Sequence, residues 1–85
     1  MADNIGSTVL HTVVEDMTDD SKFGYVIRVI QWTKDNEPIG RKMLHKQELK
    51  RADDGEVRAG KTKGLNADDL KLIIGQAAEI FAALA

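Results

Sequence analysis

The stretch FGYVIRVIQWT, residues 23–33, decides the fold of this chain. It is rich in β-branched and aromatic residues, which favour a pleated and half-buried strand. Successive side chains of a strand alternate between its two faces, so Ile27 and Val29 share one face while Arg28 and Trp32 share the other. The sequence therefore predicts a strand with one apolar face and a second face that carries a cation and the chain's one tryptophan.

Segments on both sides of this stretch predict further strands. Residues 8–14 (TVLHTVV) are again β-branched, and residues 39–49 (IGRKMLHKQEL) fit either a strand or a helix, of which the early glycine favours the strand. The proline-containing segment KDNEP, residues 34–38, separates the two longer strands. The turn signal Asp54-Gly55 predicts a short fourth strand around residues 56–58.

The C-terminal segment predicts one long helix from Ala67 to Leu84. Asn66 is a favourable N-cap, and acids in the first turn suit the positive end of the helix dipole. Helical spacing predicts an apolar stripe made of Leu70, Ile73, Ile74, Ala77, Phe81 and Leu84. The order of elements predicts an α+β fold, a curved four-stranded antiparallel sheet covered by one C-terminal helix. We expect residues 1–6 to be a flexible N-terminus and residues 7–85 to be a single domain.

Length and composition limit what the chain does. Its 85 residues are enough for one domain, and the absence of cysteine excludes disulfides and thiolate metal sites. A domain this small buries only about 60–65% of its unfolded surface, so oligomerisation is the remaining way to enlarge its core. The sequence has neither a run of about 20 apolar residues nor the pattern of a signal peptide. We therefore expect no membrane association and an intracellular location, cytoplasmic or in the nucleoid or nucleus according to source.

The net charge of −2 conceals a segregation of charge along the chain. Residues 1–20 carry five acids and no Lys or Arg, whereas residues 21–65 carry eleven Lys and Arg against six acids. Residues 66–85 return to an acidic balance, with three acids and one lysine. A basic middle between acidic ends indicates where a polyanion could bind, although a merely solvated surface gives the same pattern.

The segment GEVRAGKT, residues 55–62, matches the phosphate-binding pattern G-x-x-x-x-G-K-[ST] at every fixed position. That pattern works only where a buried strand enters the loop and a helix begins at the lysine. Here the entering residues 50–54 (KRADD) are charged, and Lys63-Gly64-Leu65 precede the helix N-cap. The sequence predicts a hairpin rich in glycine and lysine at this place, with no nucleotide loop.

Other catalytic chemistry has little support in the sequence. His11 and His45 are the only histidines, and they lie 34 residues apart. Without cysteine to complete a metal site, each is predicted to be a half-exposed strand residue. No serine or threonine has the setting of a nucleophile. We therefore expect a protein that is not an enzyme and that uses no metal and no cofactor.

An aromatic residue beside a basic surface is the way in which sheets hold single-stranded nucleic acid, with bases stacked and phosphates neutralised. Trp32 is the aromatic candidate here, although a tryptophan that simply caps the core is an equal alternative. The candidate nucleic-acid contacts are Arg28, Trp32, Arg41, Lys46, Arg58, Lys61 and Lys63.

The C-terminal helix predicts a second partner surface. Between Leu70 and Ala85 only Lys71, Gln76 and Glu79 are polar, so a sheet that covers one stripe leaves apolar residues over. A second copy of the chain is the simplest partner for that surplus. The candidate dimer interface consists of Leu72, Ile73, Ala77, Ile80, Phe81 and Leu84.

These features together resemble the transcriptional positive cofactor four family of single-stranded-DNA-binding coactivators. The resemblance lies in DGEVRAGK (54–61), in KGLN (63–66) leading directly into the helix, and in RVIQW (28–32) followed by Glu37-Pro38, and it covers roughly residues 23–84. The chain departs from the family where Ala59 replaces the usual proline, Thr62 lengthens the basic tract, Met43-Leu44 replace a common aromatic, and Leu70 replaces an aromatic in the helix.

The resemblance implies four antiparallel strands and a helix, dimerisation through the helices, and single-stranded DNA bound on basic strand surfaces. It assigns the family's basic tract to Arg58, Lys61 and Lys63, and its second-strand DNA face to Arg28 and Trp32. We therefore predict a homodimeric single-stranded-DNA-binding protein that acts in transcription, replication or repair. The alternative is a small dimeric interaction module whose basic surface binds RNA or an acidic protein.

Overall fold

The computed structural model describes residues 4–85, which form an antiparallel sheet followed by two helices. The elements are β1 (Ile5–Asp16), β2 (Phe23–Lys34), β3 (Glu37–Pro38), β4 (Met43–Arg51), β5 (Val57–Thr62), α1 (Ala67–Gly75) and α2 (Ala77–Leu84). The predicted α+β class and the order of strands before helix are confirmed. The counts differ, since the described residues contain five strands and two helices where four and one were predicted.

The sheet has the strand order β1-β2-β4-β5, and every pairing is antiparallel. β2 therefore lies inside the sheet, between β1 and β4. Four of its apolar side chains are almost inaccessible: Val26, Ile27, Val29 and Ile30 are 0–3% exposed. Because these residues alternate between the two faces, β2 is buried on both sides of the sheet.

The additional strand, β3, arises from a tight turn after β2. Asp35 and Asn36 have positive φ angles of 50° and 67°, as in the primed two-residue turns that join hairpin strands. Asp and Asn tolerate this conformation better than most residues, which is the signal that the sequence contained. Lys34 then pairs with Glu37, and Pro38 lies on a two-residue edge strand, where a missing N–H is tolerated.

β1 begins at Ile5, inside the segment that was predicted to be flexible, and Ile5 pairs with Lys34 of β2. Residues 1–3 of that segment lie outside the described residues. The register of β1 shifts between Val9 and His11 and again between Thr12 and Val14. Such bulges bend a strand and increase its twist.

The predicted capping residue is confirmed at the start of α1. Asn66 Oδ1 accepts a hydrogen bond from the Asp69 backbone N–H at 3.0 Å, and Asp69 Oδ2 accepts one from the Asn66 N–H at 2.9 Å. This reciprocal pair is a capping box, which satisfies two of the free amide groups at a helix start.

The single predicted helix is interrupted at Gln76, whose φ and ψ of −118° and 23° are not helical. The Gln76 side chain turns toward β1 instead of solvent. Its Nε2 donates to the Val13 carbonyl at 2.9 Å, and its Oε1 lies 2.9 Å from His11 Nε2. The break between α1 and α2 thus coincides with the point where the helical segment is attached to the bulged part of β1.

The helices pack on the face of the sheet that carries Ile27 and Val29. Ile80 is 4% exposed in this core, with Ile73 and Leu84 packed against it. The predicted stripe is therefore wrong in part, because Leu70, Ile74 and Phe81 are 50%, 73% and 72% exposed.

The side of the helical segment that contacts the core runs through 73, 80, 83 and 84, whose spacing fits a helix as well as the predicted one does. Two polar residues on the same side of the helical segment, Asp69 and Gln76, form hydrogen bonds with the sheet. These bonds determine which side of the helical segment faces the sheet. The assignment of Ile80 to a dimer interface is corrected by the same finding, since its side chain is already buried within one chain.

Candidate nucleic-acid interface

The face of the sheet opposite the helices carries the candidate site. Arg28 and Trp32 lie on this face because they alternate with Ile27 and Val29, which face the helices. Arg28 pairs with His45 of β4, and Gln47 pairs with Thr62 of β5. We call this surface the open face, and define it by Arg28, Trp32, His45, Gln47 and Thr62.

Side-chain contacts join three strands across the open face. Arg28 Nη2 donates to Gln47 Oε1 at 3.2 Å, which links β2 to β4. His45 Nε2 lies 2.8 Å from Thr62 Oγ1, which links β4 to β5. The Trp32 and His45 rings meet edge to face, with centroids 6.4 Å apart and planes inclined by 68°. Trp32 is half-buried, so its ring belongs to this network and is not a core residue of the helix side.

Two nitrogen atoms of the open face are buried without a hydrogen-bond partner, Arg28 Nε and His45 Nδ1. They belong to residues that are directly paired across β2 and β4. An unsatisfied buried polar group costs about 1–3 kcal/mol, and such groups in folded proteins often have a functional explanation. The network on the open face is therefore incomplete at its centre, although both atoms are buried in this structure.

Lys46, which the sequence placed among the nucleic-acid contacts, lies on the opposite face, so that assignment is wrong. It pairs with Ile27 and is only 9% exposed. Its Nζ is 2.6 Å from Asp69 Oδ2 and 4.6 Å from the centroid of the Tyr25 ring. Lys46 thus joins the sheet to the first turn of α1, because a buried ammonium group requires a counter-charge.

The partner carboxylate, Asp69, is 1% exposed. The hydrogen bond from Lys46 is the largest cause that lowers its pKa below the ordinary value of 3.8, and the Asn66 backbone N–H and the Lys46 charge act in the same direction. Burial acts in the opposite direction, because it disfavours the charged form. The ionised carboxylate therefore stabilises the contact between α1 and β4.

The other predicted cations are distributed over the molecule. Arg58 pairs with Lys50, on the same face as the helices, and its Nη2 lies 3.1 Å from Glu56 Oε2 in an exposed ion pair. Arg41 is exposed in the segment between β3 and β4. Lys61 and Lys63 are exposed and are the sequence neighbours of Thr62, so the alternation of a strand directs Lys61 to the side opposite the open face. Of the seven predicted contacts, Arg28 and Trp32 are the two that belong to the open face as defined.

Three residues of the open face were absent from the predicted site: His45, Gln47 and Thr62. Sequence reasoning treated His45 as a half-exposed strand residue, which agrees with its partial burial. Only the register between β2 and β4 reveals that it lies opposite Arg28. The period-two alternation of 43–51 predicts that His45 and Gln47 share one face of the strand. It does not predict which face of the sheet that is.

The segment that matches the phosphate-binding pattern forms a hairpin, as predicted. Gly55 occupies the turn with a φ angle of 85°, and residues 57–62 form β5 antiparallel to β4. The first helix begins five residues after Thr62, at Ala67.

Between Asn4 and Ala85 no group of three or more metal-ligating side chains is present, and no helix in that range has the length and hydropathy to cross a membrane. Comparison of the chain with protein-family models, with curated proteins and with solved structures gave no match.

Proposed function

We propose that this protein binds single-stranded DNA on the open face. The observation that carries the proposal is that Trp32 and Arg28 share one side of β2, where both lie next to His45 of β4, on a sheet face against which neither described helix packs. An aromatic platform next to cations is the arrangement by which sheets bind unpaired strands. The resemblance of residues 23–84 to single-stranded-DNA-binding coactivators supports the same function.

Each group on the open face has a role in this proposal. The Trp32 ring stacks on an unpaired base, an interaction of about 1–3 kcal/mol that is tolerant of sequence. Arg28 neutralises a phosphate, because its side chain is only half-buried and its hydrogen-bond partner, Gln47, is neutral. Lys61 and Lys63, which are exposed at the end of β5, supply further phosphate contacts in this proposal. The binding is therefore expected to depend strongly on salt and weakly on base sequence.

The test of this site is the substitution Trp32→Ala, measured by fluorescence anisotropy with a labelled single-stranded oligonucleotide. We expect affinity to fall by about 1–3 kcal/mol, whereas Trp32→Phe, which keeps an aromatic ring, retains most of it. Duplex DNA of the same sequence binds more weakly, because its paired bases offer no face to the ring. Equal affinity for single and double strands would contradict the proposal, as would a Trp32→Ala protein that melts early yet binds normally when folded.

The helices support the further proposal of a homodimer. Phe81 of the predicted interface is exposed, and Leu70 and Ile74 are exposed at helical spacing in the same segment. Leu72, which is also exposed, lies two residues from Leu70 and from Ile74 and points in another direction. Exposed apolar residues on one side of a helix are typical of an interface. The half-buried Ile73, Ala77 and Leu84 belong mainly to the inner side.

Glutamate substitutions on the two sides of the helical segment test this dimer. Ile74→Glu and Phe81→Glu are expected to give a folded monomer, because each places a charge in the contact between copies. Ile80→Glu is expected to unfold the chain, because it places a charge in the core of one copy. Circular dichroism and sedimentation distinguish these results, and a wild-type monomer at high micromolar concentration would refute the dimer.

The exposed apolar helix surface also favours the alternative function, an interaction module whose basic surface binds RNA or an acidic protein. Such a module does not need Trp32 beside Arg28. RNA and an acidic peptide, used as competitors in the anisotropy experiment, separate the two functions. Displacement of single-stranded DNA at lower concentration by either competitor than by unlabelled DNA would favour the alternative.

A further inference from the structure

A second basic region lies at the opposite end of β2 from Trp32. It is a cleft of about 390 Å³, lined by Lys22, Lys50, Arg51, Ala52, Asp53 and Arg58. This volume falls within the range of roughly 300–1,000 Å³ that is typical of small-molecule sites. Phe23, next to the cleft, and Trp32 are nine residues apart on an extended strand, which corresponds to about 30 Å. The cleft is therefore separate from the open face.

The lining of the cleft is strongly cationic, with four basic side chains against the single carboxylate of Asp53. Arg58 also has an ion pair with Glu56, but the two side chains are 65% and 61% exposed. Exposed pairs of this kind contribute little, so the guanidinium of Arg58 is free to turn toward an anion. The electrostatic balance of the cleft selects a negatively charged ligand.

Arg51 is held rigidly at this cleft by the backbone of two loops. Its Nε donates to the Ser21 carbonyl at 3.1 Å, its Nη1 to the Gly55 carbonyl at 3.3 Å, and its Nη2 to the Thr18 carbonyl at 3.1 Å. A guanidinium group has five N–H donors, so two remain after these three bonds. A cation that is already ordered loses less side-chain entropy when it binds an anion.

An exposed aromatic ring stands beside the cationic groups. Phe23 is 57% exposed, although a phenylalanine is usually buried. It pairs with Lys50, whose Nζ lies 6.0 Å from the centroid of its ring. An accessible ring next to phosphate-binding cations matches the two parts of a nucleotide, the base and the phosphate. An acidic peptide would use the cations but not the ring.

We propose that this cleft binds one phosphate group of a nucleic-acid strand, with the adjoining base stacked on Phe23. Arg51 and Lys50 hold the phosphate, and Lys22 and Arg58 add charge at the rim. The inference rests on the proposed function only in taking nucleic acid as the ligand, because none of its residues belongs to the open face. A strand bound at both places would span the length of β2 and pass from one face of the sheet to the other, because Phe23 and Lys50 lie on the face of Ile27.

The direct test is a titration of the ¹⁵N-labelled full chain with thymidine 5′-monophosphate, followed by amide chemical shifts. We expect saturable shifts at residues 22–23, 50–53 and 58, and a much smaller response to thymidine without phosphate. Phe23→Leu and Lys50→Gln should each weaken this binding at least about fivefold. Lys71→Gln, a change at an exposed helix lysine, serves as the matched control and leaves the binding unchanged.

Several results would overturn the inference. These are an equal response to thymidine, unchanged affinity in both Phe23→Leu and Lys50→Gln, or the absence of saturable shifts at the cleft. Equal shifts with hexaglutamate would overturn the assignment to nucleic acid, because that peptide has charge but no base.

The same titration in Trp32→Ala separates the cleft from the open face. Cleft shifts that persist in this variant, at unchanged affinity, support an independent site. Their loss in a folded Trp32→Ala protein would contradict it. If oligonucleotides shift only open-face amides in the wild type, the cleft fails and the proposed function stands. If they shift only cleft amides, the proposed function fails and the cleft stands.

Discussion

Lys46 and Arg28 lie on opposite faces of the same sheet, on adjacent strands, and only the charge of Lys46 has a charged partner. The Lys46 ammonium has a carboxylate at 2.6 Å and an aromatic ring beneath it. The Arg28 guanidinium has one neutral partner, Gln47, and an Nε atom without any. Both residues come from the same basic middle of the chain. A run of basic residues therefore does not define a binding surface until the sheet has sorted its members between faces.

The cause of the difference is what covers each face. Helices cover Lys46, so an unpaired charge there would be prohibitively costly, and Asp69 supplies the counter-charge. Neither described helix packs over Arg28, so water or a ligand can satisfy its charge. Lys46 is expected to serve stability and Arg28 to serve binding.

The largest effect that sharpens this comparison is expected from Lys46→Ala. It leaves the Asp69 carboxylate buried without its partner and removes the link between α1 and β4. We expect the midpoint of thermal unfolding to fall by ~10 °C or more, whereas Lys71→Ala, at an exposed lysine, changes it by no more than ~2 °C. Calorimetry of both variants measures this. Equal midpoints would show that Lys46 has no structural role.

Acid pH acts on the same contact. Because the pKa of Asp69 is lower in the folded chain than in the unfolded one, its ionisation stabilises the fold. This contribution is fully present above the unfolded value of 3.8 and is lost as the pH falls through the lower folded value. Urea unfolding between pH 5 and pH 2 should thus show a steeper loss of stability in the wild type than in Asp69→Asn. Parallel curves would contradict the role of this carboxylate.

Arg28→Ala is expected to affect DNA binding and not stability, the opposite of Lys46→Ala. Its thermal midpoint should change little, because the residue has no buried counter-charge to abandon. The slope of log affinity for single-stranded DNA against log salt should fall by about 0.7, the value for one phosphate contact. Trp32→Ala should leave that slope nearly intact, since stacking releases no counterions. If Arg28→Ala lowers stability and leaves the slope unchanged, the two faces do not differ as described.

The smallest effect is expected at Lys61, which occupies the lysine position of the phosphate-binding pattern. Since residues 57–62 form a strand, their amide groups cannot converge on a triphosphate. We expect Lys61→Ala to leave the calorimetric response to ATP unchanged, with or without magnesium. A sub-millimolar, magnesium-dependent binding isotherm that disappears in this variant would show that residues 55–62 bind nucleotide after all.

Local chemistry accounts for the parts of the fold that were predicted. The β-branched alternation of 23–33 predicted β2, Asp54-Gly55 predicted the turn before β5, and Asn66 predicted the start of α1. Each signal acts within a few residues, through side-chain sterics, backbone conformation or a hydrogen bond to the neighbouring turn. Signals of this range are readable in a sequence.

In the helical segment, local signals do not determine which side faces the sheet. Nearly all of its residues are apolar, so several stripes fit helical spacing, and the stripe that faces the sheet is chosen by contacts with Lys46 and Val13. Those partners are 23 and 63 residues away along the chain. Periodicity within the helix contains no information about them.

By itself, the sequence determined that this protein is an α+β domain with a central apolar strand, a glycine-containing hairpin and a capped C-terminal helix, because each depends on local conformational preference. Tertiary structure alone decided that Lys46 is buried, that His45 lies opposite Arg28, and that Ile80 faces inward while Phe81 faces outward. The physical reason is register. A strand or helix can present either side to its neighbour, and contacts between residues distant in sequence make the choice.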